Sequence, residues 1–122
     1  MTTPEDGLDA VPVDGPETVA ENRLLASLSR QARAVNLARV VRLLELLDGS
    51  EAGVLDEAGW HEAENLAHQV VGSAGTFGFA SASIEAVAIE EYFATTPAGS
   101  GPGADAALVR RTLARLLAEF TA

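Results

Sequence analysis

The chain has 122 residues, about half of them apolar, no cysteine, and a net charge of −10. That is enough for one domain with a modest aliphatic core, and it excludes disulfides and thiolate metal sites. The acidic balance argues against a nucleic-acid partner, and no apolar run approaches the length of a membrane span, so the cytosol is the expected compartment.

Met1 to Pro16 is rich in Pro, Gly, Asp and Glu and shows no periodicity. It reads as a disordered acidic tail, which leaves 17–122 as the folded domain. The opening MTTPEDG has neither a basic region nor an apolar core, so no signal peptide is expected. From Glu17 to Asp48 nothing breaks a helix. Apolar residues recur at Leu24, Leu25, Leu28, Ala32 and Val35, then at Leu37, Val40, Val41, Leu44 and Leu47. The phase shifts between Arg33 and Asn36. This predicts a short helix followed by a longer one, ended by Asp48-Gly49-Ser50.

Asp56 is placed as an N-cap, with Glu57 in the first turn of a helix that runs to about Thr76. Gly78 marks a turn. Ser81 or Ser83 is placed to cap the next helix, which continues to about Phe93. The stretch ATTPAGSGPGA reads as a loop. A last helix follows from about Ala104 to Phe120, with Leu108, Val109, Leu113, Leu116, Leu117 and Phe120 as its apolar positions. No segment alternates as a strand. The expected fold is all-α: an antiparallel four-helix bundle with a short additional N-terminal helix.

On a helical wheel of the 56–76 segment, Trp60, Ala63, Leu66, Ala67, Val70, Ala74 and Phe77 form one apolar stripe. His61, Asn65, His68, Gly72 and Gly75 fall on the opposite side. The wheel therefore predicts an exposed His68 and buried Leu66, Val70 and Phe77. Each internal glycine costs about 1 kcal/mol relative to alanine. Two of them beside a histidine fit a helix that is ending, a closely packed neighbour, or open access to the imidazole. A neutral imidazole is a nucleophile near pH 7. A metal site shared with His61 is disfavoured, because seven residues separate the two rings by about 10 Å along the axis. A serine triad is disfavoured because Ser73 points elsewhere and no nucleophile elbow surrounds a serine. A plain surface histidine remains open at this point. His61 has no special context, and Glu90-Glu91 reads as a solvated helix face.

The string LAHQVVGSAGTFGF, followed by ASASIEAVAIE, resembles the histidine-containing phosphotransfer (HPt) domain. The resemblance is carried by Ala67-His68, Val70, Gly72-Ser73, Gly78-Phe79, Ser83, Ala86 and Ile89-Glu90. It is specific over Asn65 to Glu90 and looser from about Glu17 to Phe120. It implies a phosphorelay intermediate in two-component signalling, with His68 as phospho-acceptor. The implied partners are a response-regulator receiver domain and a hybrid histidine kinase. They would dock around Glu64, Asn65, Val71, Gly72 and Gly75. No cofactor of its own is implied; Mg²⁺ would sit in the receiver, and the chain would have no ATP-dependent kinase activity. A monomer that binds neither nucleic acid nor membrane is expected.

The chain departs from the family pattern at two places. Val71 stands where Lys is common, and Asn65 stands where a basic residue is frequent. Glu64, one turn before His68, adds negative charge. All eight basic residues are Arg, and none lies between Leu43 and Val109. The alternative is therefore an HPt-like adaptor that docks a receiver or kinase without efficient transfer.

Overall fold

The computed structural model describes residues 16–97 and 105–122. The expected tail up to residue 15 and the loop residues 98–104 lie outside the described residues. Pro16, the last residue of the expected tail, instead opens the first helix, where its missing N–H costs nothing. That helix, α1, runs without interruption over Pro16–Glu51, and α2 spans Glu57–Thr76. α3 covers Ala80–Thr95 and α4 covers Ala106–Thr121. Among the described residues there is no strand.

The sequence pattern predicts two helices where the structure has one. No residue between Arg33 and Asn36 breaks the backbone ladder, so the phase shift marks a change of surroundings. Val40, Leu43, Leu46 and Leu47 pack into the core, whereas Leu24 and Leu25 are exposed. The stop also differs. Gly49 lies inside α1, and Gly53, at φ +73, is the residue in the left-handed region that ends the run. Val54 N–H closes back on Gly49 O at 3.0 Å.

Each helix touches its two neighbours in the order α1–α2–α3–α4–α1. The ion pairs fix the directions. Arg42 of α1 meets Glu62 of α2, and Arg110 of α4 meets Asp48 and Glu51 at the end of α1. Neighbours are thus antiparallel, as short connections require. The centre is filled by Leu43, Leu47, Ile89, Leu113, Leu116 and Phe120, all fully buried. Trp60, Tyr92 and Phe93 cluster at one end, with the Trp60 and Phe93 rings 5.4 Å apart. Phe79 and Phe120 meet at the other end, 5.3 Å apart.

Buried polar groups also link the helices, among them Asn36. Asn36 is fully buried, donates to Ser73 Oγ at 3.2 Å and accepts from Arg39 Nη1 at 2.8 Å. Satisfied on both sides, it ties α1 to α2 in one alignment.

Candidate functional site

α2 begins as its sequence predicts. Asp56 Oδ1 accepts from Gly59 N–H at 2.8 Å, satisfying one of the free donors at the helix start. Gly59 has its own reason: a methyl group there would lie 2.3 Å from Leu55 Cδ1. At the other end Gly78, at φ +92, lets Phe79 N–H reach back to Ala74 O at 2.8 Å.

Ala63, Ala67, Val70 and Ala74 form the buried face of α2, opposite Ala82, Ala86 and Ile89 of α3. Small residues on both sides let the two helices approach closely. A methyl group on Gly75 would sit 3.1 Å from Ser83 Oγ. Ser83 Oγ donates to Val71 O at 2.7 Å, bonding side chain to backbone across the pair. This corrects the reading of Ser81 and Ser83 as caps. α3 starts after Phe79 with no side-chain cap bond.

The same register delivers the site. Seven residues back from Gly75 on α2 is His68, and seven residues on from Ser83 on α3 is Glu90. Two antiparallel helices keep such positions level, each about 10.5 Å from the close contact at 1.5 Å per residue. His68 Nδ1 and Glu90 Oε2 are 2.9 Å apart. The imidazole side chain is 73 % exposed and the carboxylate 28 %. Glu90 therefore lies partly sheltered beneath an open ring. It is not a solvated helix-face residue as the sequence suggests.

An ionised carboxylate accepts only, so the hydrogen bond places the proton of a neutral imidazole on Nδ1. The lone pair is then on Nε2, the nitrogen not held by Glu90. Gly72 lies one turn on, and a methyl group there would meet nothing within 4 Å. The ring thus has one nitrogen engaged by Glu90 and an unobstructed flank.

The other proposed docking residues are not equivalent. Asn65 is exposed beside His68, and Glu64 is half-buried on the α3 side. Val71 is half-buried and packs against the core, so it is not a free apolar contact. Gly75 serves the α2–α3 approach, which leaves Gly72 as the glycine that opens space. Leu66 and Phe77 are half-buried rather than buried: Leu66 packs at the margin of the core, and Phe77 lines a groove with Leu28, Ala32 and Val35 of α1. Ser73 bonds to Asn36 on the α1 side, away from the ring. His61 lies 3.9 Å from Glu57, and both are exposed.

Five of the eight arginines are held elsewhere. Arg42 pairs with Glu62 and Glu45, Arg110 with Asp48 and Glu51, and Arg115 with Glu85. Arg33 donates to the backbone oxygen of Ala122, and Arg39 to Asn36. Both members of the Arg42–Glu62 pair respond: Glu62 is pulled below its ordinary value, and Arg42 is raised, each chiefly by their mutual hydrogen bonds. Among the described residues no group of three or more acidic or His side chains could hold a metal, and no helix is long and apolar enough to cross a membrane.

Comparison with known proteins adds no relative: no protein-family model, no curated protein and no solved structure matches this chain.

Proposed function

We propose that the chain is a phosphoryl carrier in two-component signalling and that His68 Nε2 is the accepting atom. The observation that carries this reading is the His68–Glu90 pair: Nδ1 engaged at 2.9 Å, the ring otherwise open. The Nε2 lone pair attacks the phosphorus of an acyl phosphate on a receiver aspartate. The P–N bond forms as the P–O bond breaks, and the aspartate leaves as its carboxylate. The product ring is cationic, with its remaining proton on Nδ1, and Glu90 offsets that charge. The reverse sequence returns the phosphoryl group to a second aspartate. Such transfer depends mainly on positioning and charge neutralisation. Glu90 supplies positioning; the receiver, with its Mg²⁺, supplies the neutralising charge.

The partner surface is the outer face of α2 around Asn65, Gly72 and Glu64. A second reading is an adaptor that docks a receiver or hybrid kinase without carrying phosphate well. The local charge favours it, since Glu64 and Glu90 flank the ring and the paired arginines are bound elsewhere. Incubation with a phosphorylated receiver separates the two. Acid-labile, base-stable phosphate on the chain is the expected outcome. Tight receiver binding with no phosphate transferred leaves only the adaptor.

A further inference from the structure

We propose that two copies of this chain pair through the projecting half of α1, antiparallel about Leu28. α1 has 36 residues and α2 has 20, a difference of about 24 Å at 1.5 Å per residue. The excess lies at the N-terminal end. The body of the bundle closes near Arg33, which reaches the terminal Ala122 and stacks 5.6 Å from the Phe79 ring centre. Among the described residues, α1 projects past α2 before Leu28, and residues 20–26 are all exposed.

This projection is not polar all round. Leu24 and Leu25 are each 59 % exposed, and they precede a groove formed by Leu28, Ala32 and Val35 of α1 with Phe77 at the end of α2. A lone helix with an exposed apolar stripe is an unsatisfied surface. On the wheel, Glu17, Glu21, Leu24, Leu28, Val35 and Arg39 fall on one side of α1. That stripe is acidic at its start, apolar in the middle and basic at its end.

Such a pattern is self-complementary under a two-fold axis. With Leu28 on the axis, Leu28 meets its own copy and Leu24 enters the other chain's groove above Ala32, which is largely buried at its floor. Glu17 then lies opposite Arg39 of the other chain, twice per dimer. A helix of a second copy fits because it is the same length as the stripe and carries its charges in reverse order. The groove is on the α1 side of α2, whereas His68 faces α3, so pairing leaves both histidines free. It also departs from the monomer that the sequence alone suggests. The paired flanks bury less than the roughly 800 Å² per partner of a standard interface, so a dimer with Kd on the order of micromolar is expected.

Sedimentation equilibrium of the full chain over a wide concentration range tests this. The mass is expected to rise from 12.6 kDa toward twice that value. Leu24→Glu combined with Leu25→Glu should hold the chain at monomer mass with helical circular dichroism retained, since neither side chain supports the bundle. Glu17→Arg and Arg39→Glu should each weaken pairing at least fivefold, and mixing the two variants should recover it, because both cross-chain contacts become complementary again. Arg39 also holds Asn36, so should Arg39→Glu fail to fold, the leucine variant and Glu17→Arg still decide the matter. A wild-type monomer at every concentration overturns the proposal, including the case where Leu24 and Leu25 become protected only on adding a receiver. Undiminished pairing of the leucine variant overturns it too, as does a mixture of folded charge variants that fails to associate.

Discussion

Gly75 and Ser83 are in tight contact across α2 and α3, and the level of that contact matches the one that sets Glu90 beneath His68. Gly72 and Gly75 should therefore respond in opposite ways. Gly72→Ala adds a methyl group into open space and removes the flexibility of glycine, so it should stabilise the fold by about 0.5–1 kcal/mol. Gly75→Leu forces the helices apart and should cost about 1–3 kcal/mol. Denaturant titration of both variants checks this. Equal effects would mean that the helix spacing is not set at Gly75.

Removing the carboxylate should release the ring. In Glu90→Ala, His68 loses the partner that holds the proton on Nδ1, and the Nε2–H tautomer becomes populated. Nitrogen shifts of the ring measured by NMR report the change directly. A charged hydrogen bond at a partly exposed site is worth about 1 kcal/mol after screening, so transfer should slow roughly fivefold. Glu90→Gln keeps an acceptor and should retain the tautomer while losing the charge. An unchanged tautomer in Glu90→Ala would remove the positioning role.

The two histidines give a clean contrast. His68→Ala should abolish phosphoryl acceptance and cost no more than about 1 kcal/mol of stability, the worth of its hydrogen bond to Glu90. His61→Ala should leave transfer intact. Phosphate uptake by His68→Ala, detected by acid lability, would falsify the assignment.

Acid sensitivity should track one ion pair. Arg42 donates to Glu62 through Nε at 2.8 Å and Nη2 at 2.9 Å, which holds the carboxyl below its ordinary 4.5. The unfolded chain then binds the proton more readily than the folded one. The pair's stabilisation is present above about pH 4.5 and is lost as pH falls through the lower folded value. Glu62→Gln should flatten this part of the stability profile by removing the pair's stabilisation at pH 7, with little change in acid. The effect is small, since both side chains are more than a third exposed. An unchanged slope between pH 5 and 3, followed by thermal melts, would point to other carboxylates.

The parts of this molecule legible in its sequence are those set by local chemistry. Asp56 is a readable cap because its oxygen sits three residues before the N–H it accepts. His68 is readable as exposed because one helix's periodicity settles which side it is on. Leu24 and Leu25 mislead because an apolar stripe looks the same whether it meets a core or projects past one. Gly49 and Gly53 are both plausible stops, and only the backbone angle separates them. Glu90 is missed for a different reason: its role depends on the relative level of two helices. A signal was present in the small pair Gly75 and Ser83. Taking that pair as the contact and counting seven residues along each helix leads to His68 and Glu90.

Val71 bears on how phosphate would be held. Its side chain is half-buried against the core, so Val71→Lys must withdraw apolar surface. Half the burial value of a valine is about 1 kcal/mol, and a lysine stem that snorkels recovers part of it. Some loss of thermal stability is thus expected, unlike for an exposed position. The amine would emerge on the α3 side of the ring, one turn from His68. A charge pair at about 4 Å is worth roughly 1–4 kcal/mol at effective dielectrics of about 80 to 20, much of it lost to solvent here. The carrier reading predicts a phosphohistidine that hydrolyses more slowly, by a modest factor, with receiver affinity little changed because Val71 is not a free contact. The adaptor reading predicts no phosphate in either protein. Lifetime of the acid-labile phosphate and receiver affinity, measured on wild type and Val71→Lys together, decide between them.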